Sequence, residues 1–154
     1  MMKKKIIGIV LGLTTLVSTT CFAMLSLDQI AIGGVTLGSS VSYVQNVYGS
    51  PDQVTYNRKG TPGYNYKYGT SFSVSFTSAT DEVNFVGTFA NNGMATPAGV
   101  TVGMRSSVLN DVYGTPDKTD YRTYATYLGE HYTALKFVLR NGYIINIQCF
   151  DDAE

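Results

Sequence analysis

The sequence predicts an α+β fold of two tandem units, each a short helix followed by a three- to four-stranded antiparallel meander sheet. Three observations predict it. "VTLGSSVSYVQNVYGSPDQ", from residue 35, returns as "VTVGMRSSVLNDVYGTPDK", from residue 100, at a constant offset of 65 residues with no gap. Each copy holds a short apolar stripe that ends in "YG-x-PD". After each stop the apolar period changes from helical to two.

The first element is not part of the fold. Lys3, Lys4 and Lys5 precede the apolar run "IIGIVLGLTTLV", and Ala23 follows as a small residue at a cleavage point. Residues 1–23 read as a secretory signal peptide. The other reading makes Cys21 an acylated lipoprotein cysteine. Ser18 and Thr20 stand where a lipobox wants an apolar and a very small residue, which favours simple export over a membrane anchor. Removal of the leader leaves 131 of the 154 residues, enough for one domain or two small units sharing a core. Of the 11 Lys and Arg, 8 remain against 11 acids, so the exported chain is mildly acidic. No basic stripe remains to hold nucleic acid. Cys149 is then the only cysteine, so the fold rests on its apolar core without an internal disulfide.

Residues 24–90 form the first unit, 91–99 the linker and 100–154 the second unit. The shared helix carries apolar residues at Tyr43/Val108, Val44/Leu109, Val47/Val112 and Tyr48/Tyr113, one stripe on a helix. Ser40 caps the first copy; Arg105 or Ser106 starts the second. Gly49 and Gly114 end the helices in a left-handed conformation, and Pro51 and Pro116 prevent continuation. The repeated phrase is thus a helix stop leading into a strand, in preference to a loop whose Asp52 and Asp117 bind a ligand.

The strand candidates follow. In the first unit they are "QVTYN", "YNYKY", "SFSVSF" and "VNFVGTF"; in the second, "KTDYRTY", "ATYL", "YTALKFVLR" and "YIINIQCF". At the last hairpin, a three-residue loop Arg140-Asn141-Gly142 puts Leu135, Phe137 and Leu139 on one face with Tyr143, Ile145 and Ile147. That face is more apolar than the one a two-residue turn gives.

Chemistry-bearing residues are few. His131 follows the Gly129-Glu130 turn with no nucleophile suggested near it. Cys149 alternates with Ile147 and Ile145, which reads as a small buried residue. One His and one Cys make no zinc set, and the acids lack calcium-loop spacing. The sequence therefore predicts no catalytic residue, no metal and no cofactor, and a protein that is not an enzyme. The 12 Tyr, with no Trp, are the unexplained feature. Tyr64, Tyr66 and Tyr68 alternate and share one face of a strand. With Gly69-Thr70 as a two-residue turn they lie beside Ser71, Ser73 and Ser75, away from the core. A three-residue loop would turn them inward. Tyr56, Tyr121 and Tyr127 extend the candidate patch. The alternative is Tyr as ordinary sheet filler.

Gly38 through Pro51 and Gly103 through Pro116 each give a Gly, a helix and "G-x-P". That unit resembles the outer-membrane assembly lipoproteins of the BamE/SmpA type. The tandem arrangement is similar to the secreted β-lactamase inhibitor proteins. The resemblance implies an exported module that acts by contact with another envelope or extracellular protein, as assembly factor or inhibitor. Without Trp in the aromatic set, no particular partner carries over. From the residues themselves the other function is a carbohydrate or small-ligand binder using the Tyr-rich face.

Overall fold

The computed structural model describes residues 24–57, 62–120 and 122–151. The signal peptide read at 1–23, with Cys21, and the candidate Tyr121 lie outside the described residues. A small hairpin comes first, β1 (Ala31–Ile32) and β2 (Val35–Thr36), followed by helix α1 (Val41–Tyr48). Strands β3 (Gln53–Asn57), β4 (Gly63–Tyr68), β5 (Phe72–Thr77) and β6 (Val83–Thr88) come next. Helix α2 (Val108–Tyr113) leads to β7 (Lys118–Asp120), β8 (Tyr124–Leu128), β9 (Thr133–Arg140) and β10 (Tyr143–Asp151).

The expected fold class is overturned. The chain does not build two tandem helix-plus-meander units with a sheet each. It builds one eight-stranded antiparallel sheet, in the order β3-β4-β5-β6-β10-β9-β8-β7, with two short helices. The cause is the pairing of β6 with β10, through Val86↔Cys149 and Thr88↔Ile147 among others. Two separate meanders would leave each of these apolar strands as an open edge. Joining them satisfies both ladders and makes a single core. Both helices bury against one face of that sheet: Val44 of α1 and Leu109 of α2 share a cluster with Val74, Phe76, Val86, Phe137 and Ile147. A fully buried side chain of this size contributes about 1.5–3 kcal/mol.

The helices are narrower in contact than their stripe suggests. Val44 and Leu109 are buried, but Val47 and Val112 are exposed. In α1 the inward line is Val41, Val44 and Tyr48, which leaves the position before Tyr48 at the side. Ser40 caps α1 by accepting from the Tyr43 N–H at 3.2 Å. α2 starts later, after Ser107, and no side chain caps it.

Both helix stops share one geometry. Gly49 has φ 77°, ψ −159°, and Gly114 has φ 77°, ψ −151°. This is not the left-handed helical region but the neighbouring basin that is essentially open to glycine alone. Each stop is then locked by its strands. Tyr68 donates to the Gly49 carbonyl at 3.3 Å, and Tyr127 to the Gly114 carbonyl at 3.2 Å. Asp52 accepts from the Gly69 N–H at 2.6 Å, and Asp117 from the Leu128 N–H at 2.8 Å.

Three local expectations are corrected. Tyr68 pairs with Phe72, so the β4–β5 loop has three residues and not two. Tyr143 pairs with Arg140, so the last turn has two residues, Asn141 and Gly142, both with positive φ, as a tight hairpin turn requires. The face problem that a two-residue turn creates is solved by a bulge: Ile144 faces Leu139, Ile145 is the extra residue, and Ile147 then faces Phe137. Finally, "KTDYRTY" is not one strand. The Asp120 carboxylate accepts from the Arg122 N–H at 3.1 Å, and that local bond ends β7 at a turn.

Replacing Gly49 or Gly114 by Val is expected to destabilise by about 1–3 kcal/mol, the cost of a side chain in that basin. A Cβ at either position meets nothing within 4 Å, so the loss is one of backbone conformation. Asp52→Ala and Asp117→Ala each remove one hydrogen bond to an exposed carboxylate, worth about 1 kcal/mol. Urea unfolding of the four variants checks that order.

Candidate binding surface

The three-residue loop decides where the tyrosines go. Tyr64, Tyr66 and Tyr68 pair with Phe76, Val74 and Phe72, all core residues, so they stand on the helix-bearing face. They do not form a surface with Ser71, Ser73 and Ser75. The other face of the strand pair is polar: Asn65 donates to Ser73 at 2.7 Å and to Ser75 at 2.8 Å.

The duplicated scaffold divides the tyrosines into two sets. Tyr48, Tyr68 and Phe72 pack together, with ring centroids 5.3 Å, 5.0 Å and 6.1 Å apart. Tyr113, Tyr127 and Phe137 do the same at 5.1 Å, 5.5 Å and 6.0 Å. Tyr68 and Tyr127 play the same part, each closing a helix stop through its hydroxyl. Tyr127 is a buried core residue. Burial, then Tyr113 and Asp117, push its pKa up to about 12. Tyr48 and Tyr113 also have raised pKa values, chiefly through burial. This set builds the fold.

The second set belongs to the first repeat alone. α1 covers Tyr68 but stops short of the sheet edge. Beyond it Tyr56, Tyr64 and Tyr66 form a ladder, with centroids 6.2 Å between Tyr56 and Tyr64 and 5.5 Å between Tyr64 and Tyr66. Its inner end rests on Phe76, stacked on Tyr64 at 5.2 Å and edge-on to Tyr66 at 4.9 Å. Its outer end is open: Tyr56 on β3 is 73% exposed, and Val54, which pairs with Tyr66, is 39% exposed. Tyr64 and Tyr66 are half-buried. The pairing of strands puts Ala125 of the second repeat where the first has Tyr66, and Thr119 where it has Val54. Among the described residues, the second repeat therefore has no ring at the Tyr66 position.

The hydroxyls of the ladder are anchored at its inner side. Tyr64 donates to Asp81 at 2.8 Å, and burial followed by that carboxylate pushes its pKa up. The Gln45 amide of α1 donates to the Tyr66 hydroxyl at 3.4 Å. On the polar face of these strands an open groove of about 580 Å³ is lined by Thr55, Asn65, Ser75, Asn84 and Phe85, and also touches Tyr56 and Tyr64. Gly63 lets β4 approach the β5 backbone there, because a Cβ would lie 2.3 Å from the Phe76 carbonyl oxygen. The Asn84 amide oxygen is buried without a partner.

Of the sequence-predicted patch, the structure brings Tyr56, Tyr64 and Tyr66 together. It gives Tyr68 to the helix stop and places Tyr127 on β8, near the opposite end of the sheet from β3. Val54, Gln45 and Asp81 were missed. Val54 alternates with Tyr56, so strand periodicity contained that signal. Asp81 lies 17 residues from Tyr64, and nothing in the sequence links them. His131 is exposed on a short turn at φ 56°, and Cys149 is buried with its thiol pKa pushed up by desolvation. Among the described residues, no group of three or more His, Cys, Asp or Glu side chains could hold a metal ion, and no helix is long and apolar enough to cross a membrane.

No protein-family model matches the chain, and no curated protein matches it. One solved structure is similar, an extracellular protein containing an SCP domain from Bacillus anthracis. The identity is 11% and the TM-score 0.46, over 93% of this chain and 50% of that one. This chain therefore spans half the length of that protein. A likeness at this level carries no functional argument.

Tyr127 should titrate late. The raised pKa of Tyr127 favours its neutral form in the folded state. The stability this gives is fully present below pH about 10, where tyrosine ionises when unfolded, and is lost as pH rises through about 12. Tyrosinate absorbance and far-UV circular dichroism, followed together, should show the last hydroxyls ionising as the sheet unfolds.

Proposed function

We propose that this chain is an exported, non-enzymatic module that binds another envelope or extracellular protein through the Tyr56–Tyr64–Tyr66 ladder. One observation carries the reading. The duplicated repeat retains every tyrosine that holds a helix stop, yet among the described residues it has Ala125 where the first repeat has Tyr66, and the outer end of the ladder is exposed. A side chain that the scaffold does without, and that costs solvent exposure, is supported by what it contacts. Tyrosine suits that role, since a ring with two rotatable bonds gives a large amphipathic contact with little entropy to lose. Action by protein contact is also what the resemblance to BamE/SmpA-type and inhibitor proteins implies.

A second reading has one specific observation behind it. The groove on the polar face places a buried, unpartnered Asn84 amide oxygen among Asn65, Ser75 and Phe85, and an aromatic ring next to such polar groups suits a carbohydrate. A panel of soluble glycans, read by tyrosine fluorescence, separates the two. Saturable quenching by a glycan replaces the first reading with the second.

Tyr56→Ala is the direct test of the first. The side chain is exposed, so folding stability should change by no more than about 0.5 kcal/mol. Capture of the protein's envelope partner should weaken by about 2 kcal/mol or more. Thermal unfolding and capture are measured on one preparation. Undiminished capture removes the ladder from the interface.

A further inference from the structure

We propose that two copies of this chain pair edge to edge through β3, in antiparallel register centred on Thr55, so that one sheet runs through both. The inference goes beyond the functional reading and does not depend on it.

The two ends of the sheet are built differently. β7, at one end, is three residues long and carries Lys118 and Asp120. That is how a sheet protects an edge: a short strand with charges that discourage pairing. β3, at the other end, is five residues long, Gln53-Val54-Thr55-Tyr56-Asn57, exposed throughout, with neither a charge nor a proline. Within its own five residues β3 has none of the charges or prolines that discourage another strand from adding.

The occupant that fits this edge is its own copy. Centred on Thr55, an antiparallel pair sets Thr55 against Thr55, Val54 against Tyr56, and Gln53 against Asn57, each of the last two twice by symmetry. Every cross-strand pair then joins like with like, and no charge faces another. The strand's alternation keeps Val54 and Tyr56 on the helix-bearing face and Gln53, Thr55 and Asn57 on the other, so both copies present matching faces. Moving the centre to Val54 would set Tyr56 against the Asp52 carboxylate. The side-chain rows also continue. Within one copy Val74, Tyr66 and Val54 pair in line, as do Phe76, Tyr64 and Tyr56. Across the joint the first row of one copy runs into the second row of the other. The exposed flanks of Val54 and Tyr56 cover each other, while the outer faces of the rings stay open to a further partner.

The test is light scattering on the purified protein, expressed from its full sequence, with cysteine cross-linking as a readout of register. The wild type should have twice the mass of one chain. Thr55→Lys, which places two ammonium groups at the joint on an exposed position, should halve it while leaving the far-UV circular dichroism of the folded chain unchanged. Thr55→Cys should form an intermolecular disulfide under mild oxidation. Gln53→Cys should form none, because its copies would lie roughly 14 Å apart, four strand residues from facing each other. Cys149 is buried and does not compete. A wild type that is monomeric at every concentration overturns the proposal, as does a dimer that survives Thr55→Lys. A dimer that cross-links through Gln53→Cys and not Thr55→Cys does so too. A monomer whose β3 instead takes a strand from another protein assigns the edge to that partner.

Discussion

The pairing of β6 with β10 is the constraint on which the remaining architecture depends. Each of these strands ends its own repeat, and each is apolar on the face that meets the helices. Once they pair, Val86 and Cys149 share a buried row, and the two repeats have one core between them. Other features are fitted to this joint. Gly38 donates to the Val83 carbonyl of β6, and Gly103 to the Ile144 carbonyl of β10, both at 2.8 Å, so the segment before each helix is tied to the central strand of its own repeat. Gly87 sits inside the joint because the rings of Phe85 and Phe89 close over it; a Cβ there would lie 2.8 Å from each.

The helix stops show how a phrase of six residues organises distant parts of the chain. Gly49 turns the chain through a backbone conformation other residues avoid. Its carbonyl, left without a helical partner, takes the Tyr68 hydroxyl. Asp52 then holds the N–H of Gly69, at the far end of β4. The second repeat does the same with Gly114, Tyr127 and Asp117. The stop therefore fixes the register of the first hairpin after it, and hence which residues of β4 face the helix. The ladder inherits its position from that register.

Local signals in the sequence reach as far as this. The duplication, the glycines, the Ser40 cap and the strand segments are each encoded within a few residues. Sheet membership is not, because a strand that ends a meander reads the same whether its outer edge is open or paired. Turn length is hidden at Asn141 by a bulge in the strand that follows, and at Gly69 by one further loop residue, Ser71. Ile145 as a bulge lets a two-residue turn keep Phe137 and Ile147 together, and no residue type announces a bulge. In the site, Tyr56, Tyr64 and Tyr66 were visible as alternating rings. Which face they occupied depended on a single loop residue, Ser71. The division of the tyrosines into fold-building and exposed sets needed the paired strands of both repeats, since Tyr66 and Ala125 are matched by pairing and not by the sequence offset.

The central joint also shapes the order of events in folding. Hairpins within each repeat join residues close in the chain and need little loop closure. The β6–β10 ladder joins Phe85 to Phe150 and Thr88 to Ile147, and its loop entropy must be met before any of its bonds form. Until it closes, two apolar strand edges stand open on one chain, each able to accept the matching edge of a neighbour. The interval before closure is thus when crowding during synthesis is most hazardous. Lengthening the 91–99 connection would prolong it only slightly, since closure entropy grows with the logarithm of loop length.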